Sequence, residues 1–127
     1  MARYVVDSWA WMEYLDGSEA GRMAKSKIED REAFTSAITI AEVVSRVSRK
    51  GSDADMAFNS IVSLSKIVYV DEEFAKKVGL LHSSIKKRVT NFSLADAFVL
   101  QTAKNLDAKV LTGDPDFKGI KDAEMLK

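Results

Sequence analysis

Apolar residues along this chain fall into two rhythms. Short dense runs at residues 2–6, 33–38, 67–70 and 109–112 predict buried strands. Between them, apolar positions recur every three or four residues and predict helices. The first is a compact helix over residues 8–15, and a second opens at Ser18-Glu19 and runs to about residue 30. A third spans residues 39–50 and is ended by Gly51; Ser52 and Asp53 then cap a fourth, to about residue 65. A fifth covers residues 72–88, with Ala75, Val78, Leu81 and Ile85 on one face, and a strongly apolar sixth covers residues 93–106. A last short strand is expected at residues 123–126. Strands that alternate with helices imply a parallel sheet with right-handed crossovers, an α/β sandwich.

At 127 residues the chain is expected to form one domain, residues 1–127, with a core large enough to need no disulfide or structural metal. It has no cysteine, which excludes thiol chemistry and cysteine-based zinc sites and fits a reducing compartment. No apolar run approaches the roughly 20 residues of a membrane helix, and the N-terminus lacks the build of a signal peptide. The expectation is a cytoplasmic protein. Lysine plus arginine and aspartate plus glutamate both total 19, so bulk positive charge does not hold a nucleic acid here, although local basic patches remain open.

The acids carry the candidate chemistry. Asp7 follows Tyr4-Val5-Val6, Glu42 closes Ile38-Thr39-Ile40-Ala41-Glu42, Asp96 closes Ser93-Leu94-Ala95-Asp96, and Asp114 follows Val110-Leu111-Thr112-Gly113. Each stands where a hydrophobic segment gives way to a helix start, and in a parallel sheet those exits share one edge. Carboxylates gathered there suit a hard divalent cation, which would also relieve their mutual repulsion. Each also has a local explanation. Asp7 can cap the first helix, Thr39 with Glu42 and Ser93 with Asp96 fit the capping box, and Asp114-Pro115 reads as a cap followed by proline. Asp71, after Ile67-Val68-Tyr69-Val70, looks like Asp7, and spacing alone does not separate ligand from cap.

The segments YVVDSWAWMEYL, TSAITIAEVVSR, NFSLADAFVLQTAK and KVLTGDPDF, in this order and spanning about residues 3–117, resemble the PIN-domain family, in particular the VapC-type toxin ribonucleases. The resemblance implies a three-layer α/β/α sandwich around a central parallel sheet. It implies that Asp7, Glu42, Asp96 and Asp114 are catalytic acids binding one or two Mg²⁺ or Mn²⁺ ions, with Asp116 as a further acid at the pocket rim. Asp71 matches no catalytic acid of the family, which leaves it helix capping. The ions would bind a scissile phosphate, activate water and stabilise the leaving oxygen, so neither cysteine nor histidine is required. The family further implies an RNA substrate, a VapB-like antitoxin and a homodimer.

Around the acids, Ser8 and Thr112, and also Ser93, are placed to hydrogen-bond carboxylates, or to serve only turns and caps. Gly113 is expected to let the backbone turn before Asp114. Arg46 is a candidate phosphate contact, with Arg49 and the Lys86-Lys87-Arg88 cluster as weaker ones, against the plain alternative of solvated ion pairs such as Glu42 with Arg46. His82 reads as a surface or packing residue of its helix. Trp9, Trp11, Met12, Tyr14 and Leu15 make the first helix apolar on more than one face, which calls for a partner or a thick local core. Two other uses of the fold stay in view: a PIN-like protein that binds RNA or a partner without cutting, and a PIN nuclease of RNA processing. A phosphoryl-accepting receiver domain fits poorly, because its acid pair after the first strand and its lysine after the last are missing.

Overall fold

The computed structural model describes residues 2–126. Five strands, β1 (Arg3–Val6), β2 (Glu32–Ser36), β3 (Lys66–Val68), β4 (Lys109–Thr112) and β5 (Ala123–Met125), form one sheet in the order β3-β2-β1-β4-β5. Every pairing is parallel: Val5 lies opposite Phe34 and Val110, and Thr112 opposite Met125. Helices α1 (Ser8–Asp16), α2 (Glu19–Glu29), α3 (Ala37–Arg49), α4 (Ala54–Leu64), α5 (Glu72–Lys86) and α6 (Leu94–Leu106) cover the two faces.

The strand side chains alternate between two cores, as the pleat requires. Tyr4, Val6, Ala33 and Leu111 face α1 to α4, with Trp11, Ile28, Val43 and Ile61. Val5, Phe34 and Val110 face α5 and α6, with Val78, Leu100, Phe92 and Phe117. The result is the three-layer α/β/α sandwich. Among the described residues no helix is long and apolar enough to cross a membrane.

The chain builds the sheet outward from β1 in one direction through β2 and β3, then crosses to the other side for β4 and β5. The order therefore switches between β1 and β4, the place where an open parallel sheet leaves a crevice at its carboxyl edge. Asp7 and Asp114 leave the ends of these two neighbouring strands.

Two expectations about local structure need correction. α3 starts at Ala37, not at Thr39, and its cap is Ser36, whose hydroxyl accepts the Ile38 N–H at 3.3 Å. The apolar run Ala37-Ile38 reads as strand in sequence, but Ser36 ends the ladder and the helix begins at once. Thr39 is thus buried within the first turn, and no capping box joins it to Glu42. Gly113 is the second. Its φ is not positive, so it is not needed for a turn; a Cβ there would overlap the six-membered ring of Trp9. The glycine lets the Trp9 ring pack against the end of β4.

The apolar surplus of α1 is largely absorbed locally. Trp11 is fully buried and donates from its indole to Thr35 at 3.1 Å, Met12 is buried, and Tyr14 packs edge-on to Trp11 while its hydroxyl donates to Glu29. Gly21 lets α2 press onto α1, since a Cβ there would overlap the Glu13 carbonyl.

Candidate active site

Four segments bring acids to the carboxyl edge of the sheet. Asp7 caps α1, accepting the Ala10 N–H at 2.8 Å, and is almost wholly enclosed, with 4% exposure. Glu42 stands on the second turn of α3, half-buried. Asp96 completes a capping box at the start of α6: the Ser93 N–H donates to its Oδ2 and its own N–H donates to the Ser93 hydroxyl, both at 3.0 Å. Asp114 caps a short 3-10 turn (Pro115–Phe117) and accepts the Asp116 N–H at 2.9 Å. The caps read from the sequence at Asp7, Asp96 and Asp114 are therefore real. The caps at Asp96 and Asp114 also bring these two carboxylates together.

Asp96, Asp114 and Asp116 each present a carboxylate oxygen within 4.8 Å of the others. Sequence ranked Asp116 below the other acids, but in space it stands with Asp96 and Asp114, while Asp7 and Glu42 lie near enough to feel the charges of Asp96 and Asp114. The 3-10 turn explains this: it folds Asp116 back over Asp114, a local geometry that spacing does not reveal. Asp71 is set apart. It caps α5 by accepting the Phe74 N–H at 2.9 Å, but it follows edge strand β3 and is exposed.

The acids feel one another. Burial, the main cause, pushes Asp7 from 3.8 up to about 7; the Thr112 hydroxyl and the Ala10 N–H oppose this, and Asp114 and Asp96 add to it. Burial raises Glu42 as well, with Asp96 and Asp114 pushing the same way and Arg46 and the Ser8 hydroxyl pulling back. Burial and the charges of Asp114 and Asp116 raise Asp96 against its Ser93 hydrogen bonds. The Ser8 hydroxyl thus favours the ionised form of Glu42 and the Thr112 hydroxyl that of Asp7, and Thr112 accepts the Asp114 N–H at 3.0 Å.

Arg46 and Arg49 line an open groove with Ala41, Glu42 and Ser45. In the cluster on the other side, Lys86 is engaged with its own loop, its ammonium donating to the Thr90 carbonyl at 2.7 Å. His82 has a packing role. Its Nε2 lies 3.1 Å from the Phe92 carbonyl, and Phe92 packs edge-on against Phe117, so α5, the lead into α6 and the Asp114–Asp116 turn are tied together.

An all-oxygen donor set fits a hard cation such as Mg²⁺ or Mn²⁺. With metal–oxygen distances of about 2.1 Å, ligand oxygens on one ion lie about 3–4 Å apart. The grouping of Asp96, Asp114 and Asp116 within 4.8 Å is close to that spacing.

The family model for the PIN domain matches residues 4–123, and the chain belongs to the PIN-domain family. No curated protein matches it in sequence. Among solved structures, VapC20 of Mycobacterium tuberculosis, a sarcin-ricin loop cleaving toxin, is similar with a TM-score of 0.79 at 14% identity, covering 98% of this chain and 99% of that one. A toxin–antitoxin complex from Klebsiella pneumoniae gives a TM-score of 0.77 at 20% identity, with 98% of each chain covered. VapBC2 of Rickettsia felis, bound to a DNA fragment from its promoter, gives 0.73 at 15% identity, with 97% and 96% covered.

Proposed function

We propose that this protein is a Mg²⁺- or Mn²⁺-dependent endoribonuclease of a single PIN domain. In this reading it hydrolyses RNA phosphodiester bonds in the cytoplasm, as the toxin of a VapBC-type toxin–antitoxin pair. The observation that carries the proposal is the convergence of Asp7, Glu42, Asp96, Asp114 and Asp116 at the switch point of the sheet, three of them within 4.8 Å. When bound, the cation supplies charge neutralisation at the scissile phosphate and a lowered pKa for an attacking water. Asp7, Glu42, Asp96 and Asp114 would hold the cation, with Asp116 as a further acid beside Asp96 and Asp114.

The protein's own groups do the rest. The Ser8 and Thr112 hydroxyls favour the ionised forms of Glu42 and Asp7, and helix starts at α1 and α6 act in the same direction. Arg46, one turn beyond Glu42, takes a neighbouring phosphate and offsets the acidity that would otherwise repel RNA. The likeness to toxin–antitoxin assemblies supports a VapB-like antitoxin as partner; in this reading the protein works as a homodimer.

The test is cleavage of RNA by the purified protein with Mn²⁺ or Mg²⁺ and with EDTA. Wild type cuts only with the ion, and Asp7→Asn, folded by circular dichroism, does not cut. Full cleavage by Asp7→Asn, or cleavage in EDTA, refutes the proposal.

A further inference from the structure

Among the described residues, one buried side-chain polar atom has no hydrogen-bond partner, the Oγ1 of Thr39. The other fully buried threonines are all satisfied. Thr102 donates to the Phe98 carbonyl one turn back at 2.7 Å. Thr35 accepts the Trp11 indole at 3.1 Å and bonds Ser65 at 2.7 Å. Thr112 accepts the Asp114 N–H at 3.0 Å.

Position explains why Thr39 differs. A threonine inside a helix ordinarily turns its hydroxyl onto the carbonyl three or four residues back. Thr39 lies in the first turn of α3, and the residue four before it is Thr35, still in β2. The helical acceptor that Thr102 uses is not presented to it. A valine would fill the same space without an unpaired polar atom, so the hydroxyl is a liability for folding alone.

Three residues on, and therefore on the adjoining turn of the same face, stands Glu42. Its carboxylate is half-buried and repelled by Asp96 and Asp114. A cation among these acids reverses that repulsion and draws the carboxylate into the pocket. We infer that Thr39 is a positioning residue: its hydroxyl donates a hydrogen bond to the Glu42 carboxylate when a divalent cation is bound, fixing the oxygen that faces the ion. The inference rests on the reading of the acidic pocket as a cation site and adds a residue that the pattern of acids does not contain.

The experiment titrates Mn²⁺ by calorimetry into the wild-type chain, Thr39→Val and Thr39→Ser, with thermal melts of each in EDTA. Hydrogen bonds that orient metal ligands commonly change affinity by about 10–100-fold. Thr39→Val is expected to weaken Mn²⁺ binding about tenfold, toward the lower end of that range, while melting in EDTA no lower than wild type. Thr39→Ser, which keeps the hydroxyl, is expected to restore binding. Unchanged Mn²⁺ affinity in Thr39→Val overturns the inference. So does weak binding in Thr39→Ser, or a loss of affinity in Thr39→Val accompanied by a lower melting temperature in EDTA, since either makes the role one of packing. Absence of Mn²⁺ binding in the wild type refutes instead the cation site on which the inference rests.

Discussion

Replacing Asp7 by asparagine should make the cation-free protein more stable while removing its activity. Asp7 is enclosed, and its carboxyl is raised from 3.8 to about 7, first by burial. Each tenfold change in proton affinity is worth about 1.4 kcal/mol, so holding this group ionised in the folded state opposes folding by roughly 4 kcal/mol. The sign follows from proton uptake. Between 3.8 and about 7 the folded state keeps the Asp7 proton and the unfolded state has lost it, so wild-type stability falls as pH rises through that window and levels off above it. Glu42 and Asp96 are also raised and act in the same direction.

Asparagine keeps an oxygen for the Ala10 N–H but carries no charge. In EDTA, Asp7→Asn should match wild type near pH 4 and exceed it by about 2–4 kcal/mol at pH 8. For a chain of this length that is a rise in melting temperature on the order of 10 °C. With Mn²⁺ the gap should close, since an ion at about 100 times its Kd stabilises the wild type by about 2.7 kcal/mol. Thermal and urea denaturation across pH, with and without Mn²⁺, measure all of this. An Asp7→Asn protein no more stable than wild type at pH 8 in EDTA, or a gap that does not vary with pH, refutes the reasoning.

Gly113→Ala should destabilise by about 1–3 kcal/mol, because the new methyl displaces the Trp9 ring; urea denaturation followed by tryptophan fluorescence reads both effects. Asp71→Ala should lose about 1 kcal/mol with the α5 cap yet leave Mn²⁺ affinity unchanged by calorimetry, which separates it from Asp7.

The contrast between Asp7 and Asp71 shows what the sequence could and could not carry. Both follow a β-rich run and both cap a helix, so local pattern treats them alike. The difference lies in strand order: β1 is central and β3 is an edge, which no spacing encodes. Elements with strong local signals were legible. β4 falls at Lys109–Thr112 as expected, and the Ser93–Asp96 capping box starts α6. The β2–α3 boundary was not, because Ala37-Ile38 suits either state and Ser36 and Thr39 both make acceptable caps. Gly113 shows the same limit. Its neighbour across the fold is Trp9, whose ring position depends on β1 pairing with β4. Asp116 joins Asp96 and Asp114 through a 3-10 turn and a helix start that meet only in space.

The central claim is that these acids form one cation site. Its most direct test is an anomalous difference map from crystals of the protein soaked in Mn²⁺. A peak is expected among Asp7, Glu42, Asp96 and Asp114, with Asp116 beside it. No peak there, or Mn²⁺ bound only elsewhere on the surface, would contradict it.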